Sequence, residues 1–281
     1  MSVSESLKRR YRHRYGGVSW QNPAVAATLP AVDKIDQIVR ARKGLGHLPP
    51  YSARIRASGM GGEFGGDKFV ASAEQTKQTL IQHAGLTPES RVLEVGCGTG
   101  RTATALVGYL KPGNFVGFDI DKPQIDAARA CSHLSGFEFF WADATNGMYY
   151  AEGRTSAADY RFPLDDASFD LVFLASVYTH LLEDDAENYA REIMRVLKPG
   201  GVAFVSAFLR DWTEPTQPHS FSSRVGSAYV EYPETPEKIV AYDLSTMQEW
   251  FPNGEPLRGR WRRGGQVELN EWQDWVRAVK T

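Results

Sequence analysis

Cysteine is scarce in this chain. There are two in 281 residues, Cys97 and Cys131, which supply neither a disulfide framework nor a four-ligand zinc site. The six histidines are scattered, and no His/Asp/Glu cluster has metal-ligand spacing, so no metal is expected. An excess of charge of one sign is also missing. Lys+Arg is 32 against Asp+Glu 34, which gives no basis for a general nucleic-acid coat and disfavours nucleic acid as a partner. No apolar run approaches the roughly 20 residues of a membrane span. The N-terminus has no apolar signal core, so a cytoplasmic location is the expectation. No internal repeat or long low-complexity tract occurs. What is present is ordinary globular composition, 42% hydrophobic and 23% charged, at a length suited to one large α/β domain with extensions.

One local charge cluster stands out, Lys-Arg-Arg-Tyr-Arg-His-Arg at 8–14. It reads as a solvated arm, as an arm that meets anionic substrate or headgroups, or as one that packs on a second subunit of a homodimer. Val32, Ile35, Ile38 and Val39 predict a helix over 31–43, and Pro49-Pro50 follows it. The glycine-rich stretch 58–66 reads as a flexible lid loop, and a helix is expected over 67–84. From residue 90 strands alternate with helices. Strands are expected at 91–95, 115–119, 137–141, 169–175 and 202–208, and helices at 101–110, 122–132 and 184–197. Continuous apolar strands alternating with helices imply a parallel sheet covered on both faces. A proline-broken stretch at 210–238 carries Trp212, Phe221, Tyr229 and Tyr232 and reads as a substrate-side insertion. A helix at 239–250 and strands near 257–263 and 271–279 close the chain.

The richest segment is 92–100, Val-Leu-Glu-Val-Gly-Cys-Gly-Thr-Gly. A strand stops at a turn with glycine at 96, 98 and 100, and a helix opens at once. Glycines there allow positive φ and close approach of a ligand to bare backbone. The spacing is tighter than the dinucleotide fingerprint Gly-x-Gly-x-x-Gly. Asp119 closes the second strand, in Phe-Val-Gly-Phe-Asp, where a carboxylate accepts bonds from both hydroxyls of a ribose or caps the next helix. Asp121 is the better cap. On these two motifs alone the ligand is either S-adenosylmethionine or a nicotinamide dinucleotide. Asp143 ends the third strand, in Phe-Phe-Trp-Ala-Asp-Ala, as a ligand contact or a turn cap. The fourth strand is preceded by Leu-Asp-Asp-Ala-Ser and followed by Ser-Val-Tyr-Thr-His-Leu, and Arg-Val-Leu-Lys-Pro-Gly-Gly leads into the fifth.

This ordered set resembles the class I S-adenosylmethionine-dependent methyltransferases, over roughly 70–210 well and 240–279 weakly. The resemblance implies an α/β Rossmann-like doubly wound sheet of seven strands, parallel with a terminal antiparallel strand and helices on both faces. Residues 1–60 fall outside the resemblance; 1–66 read as an N-terminal helical extension of basic arm, helix and Gly-rich lid loop, and 67–281 as the cofactor-binding domain, with the insertion at 210–238 after strand five. Glu94, Gly96, Cys97, Gly98 and Gly100 would shape the pocket for the methionine part of the cofactor. Asp119 and Ile120 would hold ribose and one adenine face, Asp143 and Ala144 the adenine edge, and Ala175 the methionyl side.

Methyl transfer to an alcohol also needs a proton removed, and an imidazole suits that near neutrality. His180 is the expected base, or else a residue that only shapes the pocket. Tyr178 is second, and His219 in the insertion is a third group within range. Arg54, Arg56 and Arg224 are expected to meet an anionic group or solvent. The pattern Asn/Asp-Pro-Pro-Tyr of base amino methylation is absent after strand four, where Leu-Ala-Ser-Val stands. A small-molecule acceptor is expected, O-methylated as a sugar, glycolipid or secondary metabolite. N-methylation and non-catalytic cofactor binding are the alternatives.

Overall fold

The computed structural model describes residues 22–58, 64–210, 219–261, 268–269 and 271–281. The basic arm at 8–14, most of the expected lid (59–63), and Trp212, Pro215 and Pro218 of the insertion lie outside the described residues.

The N-terminal extension holds two helices, α1 (Pro23–Arg42) and α2 (Tyr51–Ser58). The first begins eight residues earlier than expected. Asn22 caps it by accepting from Ala24 N–H at 2.9 Å, Pro23 sits in its first turn, and Pro30 is accommodated inside. The second was not expected. Ser52 is held at its start by Asp33, which accepts from its N–H at 2.8 Å and its hydroxyl at 2.6 Å. The two helices meet around charge rather than an apolar core. Asp36, fully buried, accepts from Arg40 Nε at 2.6 Å, Arg54 Nη2 at 2.8 Å and Gly65 N at 2.7 Å. Arg40 Nη1 continues to Leu48 O at 2.6 Å, and Arg54 to Pro49 O.

Then follow α3 (Asp67–His83), β1 (Val92–Val95), α4 (Arg101–Leu106), β2 (Phe115–Asp119), α5 (Lys122–Ala130), β3 (Glu138–Trp141), the two-residue strands β4 (Ala144–Thr145) and β5 (Thr155–Ser156), β6 (Phe169–Leu174), α6 (Glu183–Val196) and β7 (Leu197–Leu209). After the insertion come β8 (Ser223–Val225), β9 (Ala228–Val230), β10 (Val240–Tyr242), α7 (Leu244–Trp250), β11 (Glu255–Leu257) and β12 (Asp274–Val279).

Strands β3, β2, β1, β6 and β7 lie side by side and parallel, with β12 antiparallel to β7 and β11 antiparallel to β12. This is the doubly wound α/β fold with its terminal antiparallel pair. The insertion adds strands not expected from sequence. The β8–β9 hairpin turns at Gly226 and pairs through β10 onto the far end of β7, at Phe208 and Leu209. The helix expected over 239–250 therefore starts only at Leu244. Val240, Ala241 and Tyr242 are all buried and complete the sheet instead.

Alternation in the central strands fills two cores. Leu93, Val172, Leu174, Ala203 and Val205 face one, whereas Val92, Leu171, Phe173, Val202 and Phe204 face the other. Two buried layers fix the register of the strands, and so fix where their carboxyl ends place β1, β2 and β6 side by side.

Candidate active site

The strand order reverses between β1 and β6, and a cavity of about 360 Å³ opens there, beyond the carboxyl ends of β1, β2 and β6. Gly96 has φ +74°, and a Cβ on it would stand 2.4 Å from Val177 Cγ2. Only glycine lets the turn after β1 pass this stiff side chain from the turn after β6. Gly98 has φ +54°, and its N–H donates to Asp119 Oδ2 at 2.8 Å. Gly100 does not line the cavity. It starts α4 with φ +77°, and a Cβ there would run into Leu134. Cys97 lines the cavity with its thiol pushed well up by burial and by the nearby acids, which suits a wall and not a nucleophile.

Two carboxyls face this loop, Glu94 buried and Asp119 half-buried. Asp119 also accepts from Asp121 N–H at 2.8 Å, through Oδ1. Burial raises its pKa to about 6, against the backbone bonds that favour the ionised form. Glu94 accepts from the Thr102 hydroxyl at 2.9 Å through Oε1, and its Oε2 has no partner among the described residues. Burial raises Glu94 to about 8, with Thr102 and Arg101 opposing. Gln124 Oε1, on another cavity-lining side chain, is equally unpartnered. Buried acceptors without donors are uncommon and costly. A ligand carrying hydroxyl and ammonium donors fits this set. The ribose and methionine groups of S-adenosylmethionine have that chemistry.

The opposite wall comes from the segments after β3 and β6. Ile120, just after β2, and Ala175, Ser176 and Val177, after β6, line the cavity. Asp143 and Ala144 stand just outside. Asp143 accepts from Arg154 N–H at 3.1 Å, and the lining passes to Thr145, Asn146, Met148 and Tyr149. His180 lines the cavity, and its Nδ1 lies 3.0 Å from Glu237 O. A carbonyl only accepts, so Nδ1 carries the proton and Nε2 is the basic nitrogen. Burial lowers the His180 pKa, opposed by hydrogen bonding to the Glu237 and Lys238 backbone. The ring is therefore neutral at pH 7.

Tyr178 is a correction. Its side chain is fully buried in the core, donates to Ala186 O at 2.8 Å and packs on Trp250 and Phe251. The turn that aims His180 at the cavity aims Tyr178 away from it. His219 packs on Phe208 and Phe221 and Arg224 lies over Tyr229, both away from the cavity, while Arg54 belongs to the Asp36 cluster. Arg56 does reach the cavity, as a fork onto Asp121 at 2.8 and 2.7 Å. Sequence reasoning missed Asn146, Tyr149 and Gln273. Gln273 accepts from Ser206 Oγ at 2.7 Å and Ser176 Oγ at 3.1 Å. Ser176 is held at φ +65° at the end of β6, the kind of unfavourable backbone that gathers at binding sites.

Residues 93–205 match the sequence model of the family described as methyltransferase domain. The chain is similar to a phthiotriol/phenolphthiotriol dimycocerosates methyltransferase of Mycobacterium tuberculosis, 32% identical over 114 residues, 40% of this chain and 35% of that one. It is similar to a fatty-acid O-methyltransferase of Mycolicibacterium smegmatis, 32% identical over 111 residues, 40% of this chain and 34% of that one. The matched segment thus spans about a third of these relatives' length. Among solved structures, a chain of the Haloferax volcanii complex containing the Trm112 methyltransferase activator superposes with TM-score 0.51 at 17% identity, covering 76% of this chain and 98% of that one. A Pyrococcus horikoshii protein superposes with TM-score 0.50 at 17% identity, over 76% and 92%.

Proposed function

We propose that the chain, whose residues 93–205 match a methyltransferase domain, is a class I S-adenosylmethionine-dependent methyltransferase that methylates a hydroxyl of a small apolar or lipid-like acceptor with His180 as general base. The observation that carries this reading is the anchoring of His180 Nδ1 on Glu237 O, which leaves Nε2 as the ring's accepting nitrogen, in the cavity that Glu94 and Asp119 also line. Apolar Met148, Val177 and Leu181 line the same cavity, and two relatives are named for lipid acceptors.

Bound S-adenosylmethionine supplies a methyl group on a sulfonium, whose departing thioether is neutral and needs no acid. The protein's own part is binding, orientation and proton removal. Asp119 takes ribose hydroxyls while Gly98 and Asp121 N–H hold it in place. Glu94 and Gln124 offer their unpartnered oxygens to donors of the cofactor. Val177, Leu181 and Tyr189 give the cavity an apolar wall that excludes water. Alignment of this kind is worth about 7–11 kcal/mol in favourable systems, and a placed base adds about 10²–10⁴-fold.

Replacing His180 by Ala is expected to lower turnover of a long-chain alcohol about 100-fold or more and to leave S-adenosylhomocysteine affinity within about threefold. Radiometric transfer assays beside calorimetry measure both. Undiminished turnover removes His180 as the base.

A further inference from the structure

We propose that Tyr149 is a catalytic residue of the O-methyl transfer, standing between the acceptor hydroxyl and His180 as the group through which the proton passes. The inference rests on the O-methyltransfer reading and deepens it.

With Nδ1–H committed to Glu237 O, His180 has one lone pair to use, on Nε2. That nitrogen lies 3.3 Å from the Tyr149 hydroxyl, and the two rings meet edge to face with centroids 5.1 Å apart. An unprotonated imidazole nitrogen accepts, so the phenol donates. Tyr149 itself lines the cavity. The base nitrogen is therefore covered by a phenol that faces the ligand space. A proton leaving an acceptor reaches Nε2 through that hydroxyl.

The arrangement is held from one side chain. Asn146, buried, accepts from the N–H of Met148 and of Tyr149, both at 3.2 Å, and donates from Nδ2 to His180 O at 2.9 Å. Asn146 and Tyr150 exchange two backbone bonds, at 2.8 and 2.9 Å, which close the loop that carries Tyr149. Asn146 is thus a positioning residue that ties donor and acceptor to a common frame. The phenol is pushed up to about 12 by burial and by the charges of Asp119 and Asp121, the latter paired with Arg56. It does not stay ionised near neutrality. It passes a proton on only as it receives one.

The step balances. The acceptor O–H bond breaks and its proton goes to Tyr149 Oη, while the proton already on Oη goes to His180 Nε2. The acceptor oxygen's pair forms the new bond to the methyl carbon as the carbon–sulfur bond breaks with its pair left on sulfur. One positive charge leaves the sulfonium and one appears on the imidazole.

Tyr149→Phe keeps the ring and removes the hydroxyl, and two readouts test it. The first needs no acceptor: ¹⁵N NMR of histidine-labelled protein, with His180 assigned from His180→Ala. The expected wild-type signal is an unprotonated Nε2 shifted upfield by an accepted hydrogen bond, and in Tyr149→Phe it moves downfield with the tautomer unchanged. An Nε2 signal unmoved by the substitution, or a proton found on Nε2 in the neutral ring, overturns the proposal. The second compares 1-dodecanol, which must lose a proton, with myristate, which is already ionised. The expected loss in kcat is about 100-fold for dodecanol and under about threefold for myristate, with S-adenosylhomocysteine affinity unchanged. Equal dodecanol turnover in variant and wild type overturns the relay alone. A wild type that methylates neither probe, or only myristate, overturns the hydroxyl-methylation reading and the relay with it.

Discussion

Asp36→Ala is expected to release the N-terminal extension, at a cost of about 3–5 kcal/mol to the packing of α1 and α2, because it leaves two buried guanidinium groups without their shared anion. Burial alone would raise the Asp36 pKa. Hydrogen bonds from Arg54, Gly65 N–H and Arg40 outweigh it and hold the carboxyl below its usual range. A depressed carboxylate contributes stability that is complete above its unfolded value near 4 and is lost as pH falls through the lower folded value. The extension should accordingly stay protected at pH 5 and loosen only in stronger acid. Hydrogen exchange across 23–58 is the measurement. The variant should exchange there at neutral pH as wild type does only in acid, and protection equal to wild type would show that the helices dock by other means. The site should feel the loss, since α2 carries Arg56 to Asp121 at the cavity edge.

Asp119→Asn is expected to weaken S-adenosylhomocysteine binding about 100-fold or more. Both carboxylate oxygens already accept backbone N–H groups, from Gly98 and from Asp121. An amide must turn its NH₂ toward one of them, donor against donor, so either the glycine turn or the start of α5 shifts. The ribose acceptors go with it. Each hydrogen bond to a charged group is worth about 1.5–3 kcal/mol, and losing two exceeds the roughly 2.7 kcal/mol of a hundredfold change. Calorimetry on the variant, with His180→Ala as a control that keeps its affinity, separates a cofactor effect from a general loss of folding. An Asp119→Asn affinity equal to wild type would remove Asp119 from the ribose site.

What could be read from sequence was the chemistry that is local to strand ends. Gly96, Gly98 and Asp119 stand at the cavity because the turn after a parallel strand has few ways to fold, and their residue types state what the turn needs. The parallel order followed from apolar strands alternating with helices for the same reason. Two kinds of feature escaped. The first is rotational phase in short elements. Tyr178 and His180 sit two residues apart in a 3₁₀ turn, so they point about 120° apart, and nothing in the sequence says which faces the cavity. The second is contact between distant segments. Arg56 meets Asp121 and Tyr149 meets His180 across long sequence separations, and Gln273 reaches back to Ser206 from just before the last strand. The buried Asp36 cluster was hidden for the same reason. Its arginines look solvated in sequence until α1 and α2 are laid side by side. Strand β10 was misread as helix because Val240-Ala241-Tyr242 is too short to show a period, and only the free end of β7 decides its state.

The central claim is that Glu94 and Asp119 are acceptors waiting for the donors of S-adenosylmethionine. Burial raises their pKa values to about 8 and about 6, so part of their charge is suppressed at neutral pH. Donors arriving at these oxygens favour the ionised form, and binding must then release protons. The most direct test is calorimetric titration of the wild type with S-adenosylhomocysteine at pH 7 in phosphate and in Tris. The account predicts saturable one-to-one binding whose heat differs between the buffers by the amount a proton release requires. Absence of saturable binding, or binding with the same heat in both buffers, would contradict it.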